Sequence, residues 1–429
     1  MKVFLDSVGC RLNQSEIESY ARQFHAAGHE LVASPAEADL VVVNTCAVTA
    51  AAASDSRQKV RQASRLGARE IVVTGCWSTL DPQAAASLPR VAQVVPNLEK
   101  DHLVANLLQL PAEIFDLEPV ARQPVPGARL RTRAFIKVQD GCDNRCTFCV
   151  TTLARGAARS RSIAQVLADI QAALDGACQE IVLTGVHLGS WGQDFSPAQH
   201  LRHLVESVLE GSRIPRLRLS SLEPWDLDQE FFGLWQDSRL CRHLHLPLQS
   251  GSAATLRRMA RKTTPQRFAA MLEAVRATIP DAAITTDVIV GFPGESRVEF
   301  AESLEFVRSM HFAGGHVFTY SARPGTAAAH MPGQVPHSLR KERSARMRQV
   351  LAESEQRYQG AFLGQVLDVL WESAAALGPD GWQMSGLTGN YLRVSAEAPQ
   401  QCWNHITPVR LVGLQAAGLQ GQLVSSACE

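Results

Sequence analysis

The stretch Asp140-Gly-Cys-Asp-Asn-Arg-Cys-Thr-Phe-Cys-Val150 places Cys142, Cys146 and Cys149, here called the triplet, at x3 and x2 spacing. Thiolates are the usual ligands of iron–sulfur clusters, so this spacing predicts three ligated irons of a cubane and one open iron. An open iron can bind a small molecule, which favours chemistry at the cluster over electron storage. A zinc site or three buried thiols is the alternative, although zinc usually takes four ligands with paired C-x2-C spacing.

The bulk composition is that of a globular protein of several domains, with 429 residues, 45% hydrophobic and 20% charged. Because no apolar run is long enough to span a membrane and the first residues lack a signal-peptide layout, we expect a cytoplasmic protein without membrane contact. The formal net charge is zero, yet residues 121–161 hold nine Lys/Arg against two Asp. This segment indicates a phosphate-rich partner near the triplet, or simply a solvated basic face.

Residues 1–110 alternate strand-like and helix-like segments, which predicts a parallel α/β sheet. Cys10, Cys46 and Cys76, here called the dispersed trio, each follow the end of a predicted strand. The carboxyl ends of parallel strands meet at the edge where such sheets bind ligands. The dispersed trio therefore predicts a second metal site, with chance placement as the alternative.

The rest of the chain divides into a Pro/Gly/Arg-rich linker at 111–132, a second β/α alternation at 133–335, a helix at 336–360 and short alternating strands at 361–429. Six strand–helix pairs are too few for an eight-fold barrel and predict a partial (β/α)6 barrel. The last segment predicts a small OB-like β-barrel. The fold class is α/β, with a parallel N-terminal domain, a central partial barrel and a C-terminal β-barrel.

The triplet, with Phe148 before its last cysteine, resembles the signature of radical S-adenosylmethionine (SAM) enzymes. This resemblance implies a [4Fe-4S] cluster whose open iron chelates SAM and whose electron cleaves it. It also implies a SAM pocket at Phe148, Gly185, Gln249 and Gly291. Each glycine could instead mark only a tight turn.

Over essentially its whole length the chain resembles the radical SAM methylthiotransferases, which combine a three-cysteine domain, the triplet and a C-terminal TRAM barrel. Gly9-Cys-Arg-Leu-Asn-Gln-Ser-Glu16 and Gly185-Val-His-Leu-Gly-Ser-Trp-Gly192 are similar to the subgroup that modifies threonylcarbamoyladenosine in tRNA. The resemblance implies a second, auxiliary [4Fe-4S] cluster on the dispersed trio. It implies methylthiolation of carbon 2 of that nucleoside at tRNA position 37. The partners implied are the tRNA anticodon stem-loop, an electron donor such as flavodoxin or ferredoxin, and a sulfur or cluster-assembly donor.

The basic charge makes Arg129, Arg131, Arg133 and Arg155 candidates for RNA binding, together with the arginines at 340–348. The segment 361–429 has five acidic residues and two Arg, a poor electrostatic match for RNA. It therefore either binds RNA by stacking on its aromatic residues or docks against the enzyme core.

One departure from the family pattern and two alternative functions stay open. The family's proline and aromatic residue after the last cysteine are absent from Val150-Thr-Thr-Leu-Ala-Arg-Gly156, which puts the shape of that loop in doubt. The substrate could be a ribosomal protein rather than tRNA, or the chain could be an iron–sulfur RNA-binding sensor without catalysis.

Overall fold

A computed structural model describes residues 1–111, 115, 132–377 and 381–424 of the chain. Most of the predicted linker, including Arg129 and Arg131, lies outside these residues. The described residues form a parallel sheet with helices, a row of six parallel strands, a long helix and a closed β-barrel. The predicted fold class is confirmed.

The N-terminal sheet has the strand order β2-β1-β3-β4-β5, and all of its pairings are parallel. Its two central strands are apolar and buried along most of their length, as expected for a sheet covered on both faces. The strands are β1 (Lys2–Ser7), β2 (Glu30–Leu31), β3 (Leu40–Thr45), β4 (Glu70–Gly75) and β5 (Val91–Val95). The helices are α1 (Arg11–Ala26), α2 (Ala50–Arg65), α3 (Cys76–Leu80), α4 (Pro82–Ala86) and α5 (Leu103–Leu108).

The central region contains two three-stranded parallel sheets, ordered β10-β9-β6 and β11-β12-β13. Bridges Leu217↔Leu240 and Ser221↔His245 join them into one curved row, and the hairpin β7/β8 flanks the triplet. The strands are β6 (Arg133–Lys137), β7 (Gln139–Asp140), β8 (Arg159–Ser160), β9 (Glu180–Thr184), β10 (Arg216–Leu219), β11 (His243–His245), β12 (Ala283–Val290) and β13 (Gly314–Thr319).

Helices cover the outside of this row, and the main apolar core lies between the two. Serine caps with a Gln or Glu three residues later begin two of them, which satisfies the otherwise unpaired backbone N–H groups of the first turn. The helices are α6 (Thr151–Arg155), α7 (Ile163–Asp175), α8 (Leu201–Gly211), α9 (Gln229–Phe232), α10 (Ala253–Arg258), α11 (Pro265–Thr278) and α12 (Arg297–Ser309). The long helix α13 (His337–Gly360) follows and packs on β13.

Helix α1 of the N-terminal domain packs against β6, the first edge of the central row. The Lys137 backbone N–H donates to the Ser15 hydroxyl at 3.0 Å, and Arg22 forms an ion pair with Asp169 of α7 at 2.8 Å. An edge strand otherwise presents unpaired backbone groups, and here a helix of another domain covers it. The N-terminal and central domains are therefore joined along a polar seam.

The C-terminal barrel closes in the order β14-β15-β16-β18-β17, with β17 pairing back to β14. Closure removes exposed strand edges, and Trp371 lies in the barrel core, fully buried. The strands are β14 (Val366–Ala376), β15 (Trp382–Thr388), β16 (Arg393–Ala398), β17 (Ile406–Gln415) and β18 (Gly418–Leu423).

Tyr391 is the principal aromatic contact between the barrel and the rest of the chain. Its ring stacks on His243 with centroids 4.2 Å apart, the Arg218 guanidinium lies 5.0 Å from its centroid, and Arg11 donates to its hydroxyl at 2.9 Å. Arg216 adds bonds to two barrel carbonyls. Arg216, Arg218 and His243 lie at the amino-terminal ends of β10 and β11, opposite the triplet, whereas Arg11 begins α1 of the N-terminal domain. The barrel therefore docks against the enzyme core, and RNA stacking on its other aromatic residues stays the open alternative.

Candidate functional site

The dispersed trio converges at the carboxyl edge of the N-terminal sheet. Cys10 follows β1, Cys46 follows β3 and Cys76 follows β4, and all three are free thiols. Gly9 and Gly75 make the close approach possible. A Cβ on Gly9 would lie 2.6 Å from the Cys46 sulfur, and one on Gly75 would lie 2.3 Å from the Thr45 carbonyl. Both glycines have φ near +100°, which other residues rarely adopt. The loops therefore pack on one another as the strand-end argument predicts.

Asn13 fastens two of these loops together. Its amide nitrogen donates to the Val8 carbonyl at 2.7 Å and to the Thr45 carbonyl at 3.1 Å, while its side-chain oxygen lies 3.7 Å from the Cys10 sulfur. Asn13 belongs to the Gly9–Glu16 motif, so the motif's polar positions build the scaffold of the trio. Sequence reasoning quoted the motif without finding this role.

The burial of these thiols bears on what they could hold. Cys46 is 4% exposed, and burial raises the pKa of its thiol to about 11. A buried thiol of this kind stays protonated unless a metal or a cation stabilises the thiolate. Cys10, by contrast, is exposed, so the trio has an open side. The donor set therefore fits a metal cluster that is accessible from one direction.

The triplet lies on a loop held by the β7/β8 hairpin. Gly141 has φ +71°, and a Cβ there would lie 1.9 Å from the Ala157 carbonyl, so only glycine fits. The backbone N–H of Asn144 donates to the Cys142 sulfur at 3.4 Å, and that of Thr151 donates to the Cys149 sulfur at 3.4 Å. Backbone donors aimed at sulfur stabilise thiolates, the form in which cysteine binds iron.

Arg261 supports the remaining thiol of the triplet. Its guanidinium lies 3.7 Å from the Cys146 sulfur and forms two ion-pair contacts with Glu223, at 2.5 and 3.0 Å. The Trp225 ring packs under the same guanidinium, with its centroid 4.6 Å away. Glu223 lies in the loop after β10, and sequence reasoning assigned it no role.

His187 is a second supporting residue that sequence reasoning left unassigned. It hydrogen-bonds Asp226 at 2.6 Å and the Asn144 side chain at 3.3 Å. Burial lowers the pKa of His187, but hydrogen bonds to Asp226 and Cys142 outweigh burial and raise it to about 9. The imidazolium form is therefore favoured beside the first cysteine of the triplet.

The four residues predicted to bind SAM fall into two places. Phe148 packs edge-to-face on Phe292, 6.3 Å between centroids, which puts it beside Gly291. Gln249 has φ +70° and its backbone pairs with β12 next to Val288, close to the same strand end. The structure therefore brings Phe148, Gln249 and Gly291 to one side of the triplet.

Gly185 lies apart, after β9. A Cβ there would lie 3.0 Å from the Gln139 side-chain oxygen. Gly291 likewise has no room for a side chain, because a Cβ would lie 2.2 Å from the Arg340 side chain. Both glycines thus have a packing reason to be glycine, and their contact with SAM stays a prediction.

Arg155 is buried between the two cysteine groups. It is 2% exposed; its Nε–H donates to the Cys76 sulfur at 3.3 Å and its Nη1 to Glu16 at 3.1 Å and Asp140 at 2.8 Å. Burial opposes ionisation of the carboxyls, but Lys100 and Arg155 lower the pKa of Glu16 to about 2. Because Asp140 precedes the triplet and Arg155 follows it, this ion network connects the two cysteine loops.

The arginines predicted to bind RNA are placed differently from one another. Arg155 is buried and not accessible to RNA, and Arg343 of α13 is likewise buried against Glu295 at 2.6 Å. Arg133 pairs with Glu372 of the barrel at 2.6 Å. Arg346 and Arg348 of α13 are exposed, and so are Arg145 and Lys262 on the triplet side. Net charge in the sequence did not separate buried arginines from exposed ones.

Within the described ranges, no three His, Cys, Asp or Glu side chains meet closely enough to hold one metal ion. In a cubane each thiolate binds a different iron, so its ligands stand further apart than those around one ion. The two cysteine groups are thus compatible with clusters and do not form compact zinc sites. No helix of the described residues is long and apolar enough to cross a membrane.

Six parallel strands in one curved row, with a C-x3-C-x2-C loop after the first, define a radical SAM protein, a class that uses SAM and a [4Fe-4S] cluster. Residues 136–307 match the Radical SAM superfamily, and residues 2–96 match the family described as "Uncharacterized protein family UPF0004". A solved structure of the radical SAM methyltransferase TsrM from Kitasatospora setae aligns at TM-score 0.58 and 15% identity, covering 76% of this chain and 75% of that one. That likeness concerns the fold alone.

Two relatives narrow the class further. "Threonylcarbamoyladenosine tRNA methylthiotransferase MtaB" of Bacillus subtilis is 33% identical over 98% of this chain and 96% of its own length. "tRNA-2-methylthio-N(6)-dimethylallyladenosine synthase" of Caldicellulosiruptor saccharolyticus is 32% identical over 84% of this chain and 80% of its own length. The chain belongs to the radical SAM methylthiotransferase family, as the sequence motifs predicted, and it is an enzyme.

Proposed function

We propose that this enzyme is a tRNA methylthiotransferase that replaces the hydrogen on carbon 2 of N6-threonylcarbamoyladenosine, at position 37 beside the anticodon, with a methylthio group. The observation that carries the proposal is Arg155, which follows the triplet in sequence and donates to Cys76 of the dispersed trio at 3.3 Å. A C–H carbon activated at one cysteine group must receive sulfur from a nearby source. The dispersed trio, which this contact joins to the central domain, is the candidate source of that sulfur.

The triplet would hold the cluster that binds SAM, and the dispersed trio would hold the auxiliary cluster. When bound, the first cluster and SAM supply the one-electron cleavage of SAM that activates the C–H bond. The backbone N–H groups of Asn144 and Thr151 and the Arg261 guanidinium stabilise the three thiolates. Phe148 and Phe292 form an apolar wall on one side that excludes water.

The RNA would approach the triplet side. Arg145 lies within the triplet loop, and Lys262 follows Arg261; both side chains are exposed and lack a carboxylate partner within the described residues. Trp225 lies next to Lys262, whose Nζ is 5.9 Å from the ring centroid, and offers an indole ring for base stacking. The acidic C-terminal barrel docks at the opposite end through Tyr391, which supports RNA contact by the central domain.

The choice of nucleoside rests on the motifs and on the relatives, since the threonylcarbamoyladenosine methylthiotransferase of Thermotoga maritima is 37% identical and the dimethylallyladenosine synthase 32%. Gly185-Val-His-Leu-Gly-Ser-Trp-Gly192 lacks the Asn-rich segment of the isopentenyladenosine branch. The family's ribosomal-protein branch carries Pro and Lys after its first cysteine, where this chain has Arg11 and Leu12. Cytoplasmic location, a flavodoxin or ferredoxin as electron donor and a separate sulfur donor remain predictions.

The test is a substrate comparison with anaerobically reconstituted enzyme, SAM, a reductant and a sulfide source. Three substrates are offered: tRNA carrying threonylcarbamoyladenosine, tRNA carrying isopentenyladenosine, and ribosomal proteins. Mass spectrometry should find the added methylthio group only on threonylcarbamoyladenosine. Addition mainly to isopentenyladenosine or to protein would overturn the proposed substrate while leaving the family assignment intact.

A further inference from the structure

Arg155 is oriented so that its Nε–H faces sulfur. Glu16 and Asp140 accept from Nη1, and Asn13 accepts from Nη2 at 2.9 Å, which fixes the plane of the guanidinium. The Nε–H then points at the Cys76 sulfur, 3.3 Å away. A planar guanidinium held by a fork of acceptors has little freedom to turn away. Arg155, from the central domain, is therefore a fixed donor to a thiol of the N-terminal domain.

Arg323 reaches the same site from the other end of the central row. It follows β13, is 9% exposed, and its Nη2 donates to the carbonyls of Ala47 and Thr49, the first and third residues after Cys46. Within the described residues it has no carboxylate partner, and its Nε lacks any hydrogen bond.

Three other buried arginines of the chain differ from Arg323 because each of them pairs with a carboxylate. Arg218 pairs with Glu180, Arg261 with Glu223 and Arg343 with Glu295. Burying a charge lowers folding stability by roughly several kcal/mol unless an opposite charge accompanies it. A buried guanidinium beside Cys46 without a carboxylate thus indicates that an anion completes the site. Thiolates bound to a cluster supply negative charge at that place.

We propose that the auxiliary cluster occupies a composite site. The dispersed trio of the N-terminal domain provides its ligands, and Arg155 and Arg323 of the central domain provide its cationic positioning residues. This inference rests on the proposed assignment of a cluster to the dispersed trio. Hydrogen bonds and positive charge beside cluster sulfurs stabilise the more negative, reduced state. The two arginines therefore raise the reduction potential of the auxiliary cluster and slow its loss.

The test uses full-length protein in which the triplet is replaced by alanine, so that only the auxiliary cluster remains. Arg155→Lys keeps a positive charge near Glu16 and Asp140 but cannot make the Nε–H bond to sulfur. Lys100 contacts both carboxylates, at 2.5 and 3.1 Å, and therefore limits the loss of stability that the Arg155→Lys substitution causes. Arg323→Gln removes the charge while its amide can still donate to a backbone carbonyl.

The matched controls contact neither cysteine group. Arg218→Lys alters a buried arginine paired with Glu180, and Arg216→Gln alters a buried arginine that donates to backbone carbonyls of the barrel. Iron content, the EPR-monitored midpoint potential and the rate of cluster loss to a chelator are measured for each protein. Circular dichroism and thermal unfolding report whether each variant folds.

We expect Arg155→Lys and Arg323→Gln each to shift the midpoint potential to a more negative value and to lose iron faster, with the controls unchanged. Should Arg155→Lys not fold, Arg323→Gln still decides the question. Potentials equal to the parent's in both test variants, or equal shifts in the controls, would overturn the composite site. A parent protein without iron would overturn the cluster assignment itself, and this inference with it.

Discussion

Replacing Arg145 and Lys262 together by glutamine tests where the RNA binds. Both side chains are exposed beside the triplet, and Lys262 is adjacent to Arg261, whose guanidinium lies 3.7 Å from the Cys146 sulfur. Each phosphate contact adds about 0.7–0.9 to the slope of log K against log salt. If each cation makes one contact, the double variant loses roughly 1.4–1.8 of that slope. A fourfold rise in salt should then weaken wild-type binding about 7- to 12-fold more than it weakens the variant's.

Fluorescence anisotropy with a labelled anticodon stem-loop, titrated at several salt concentrations, measures this slope. The control variant replaces Arg308 and Arg357, two exposed arginines in the last turns of α12 and α13. The control should keep the wild-type slope, and SAM cleavage without tRNA should be unchanged in all three proteins. Equal slopes in wild type and double variant, or the same loss in the control, would show that the RNA binds elsewhere.

Three further outcomes are expected. Replacing the dispersed trio by alanine should preserve formation of 5′-deoxyadenosine but abolish sulfur insertion; loss of cleavage with an intact triplet cluster would contradict the division of roles. Tyr391→Phe should cost about 1–3 kcal/mol of unfolding free energy in urea by removing the bond from Arg11, and Tyr391→Ala about 3–5 kcal/mol, whereas equal stability of all three proteins would refute this docking contact. Ion pairs with Lys100 and Arg155 lower the pKa of Glu16 from 4.5 to about 2. The folding stability that these ion pairs provide is therefore present above pH 4.5 and is lost as the pH falls toward 2. Glu16→Gln should show a shallower acid decline by urea unfolding, and an unchanged decline would count against the network.

The sequence predicts the two cysteine groups well because each depends on a simple rule. The triplet is local, so its spacing alone restricts its chemistry. The dispersed trio is not local, but parallel strands place their carboxyl ends at one edge, which brings Cys10, Cys46 and Cys76 together. The motif glycines follow from the same geometry, since Gly9 and Gly75 allow the loops to touch.

Arg155 shows what sequence patterns could not predict. A positive charge near the triplet suggested RNA, yet the side chain is buried because Glu16, 139 residues earlier, and Asp140, 15 residues earlier, enclose it. A charge in a sequence carries no information about which way its side chain points. Tyr391 is a similar case, because its partners His243, Arg218 and Arg11 come from two other domains.

The most direct test of the proposed function is nucleoside mass spectrometry of tRNA from a strain lacking this gene. We predict that the 2-methylthio form of N6-threonylcarbamoyladenosine disappears and that unmethylthiolated N6-threonylcarbamoyladenosine accumulates. The wild-type gene should restore the modification, and the variant with the triplet replaced by alanine should not. Persistence of the methylthiolated nucleoside in the deletion strain, with no compensating enzyme, or its restoration by the alanine variant, would contradict the account.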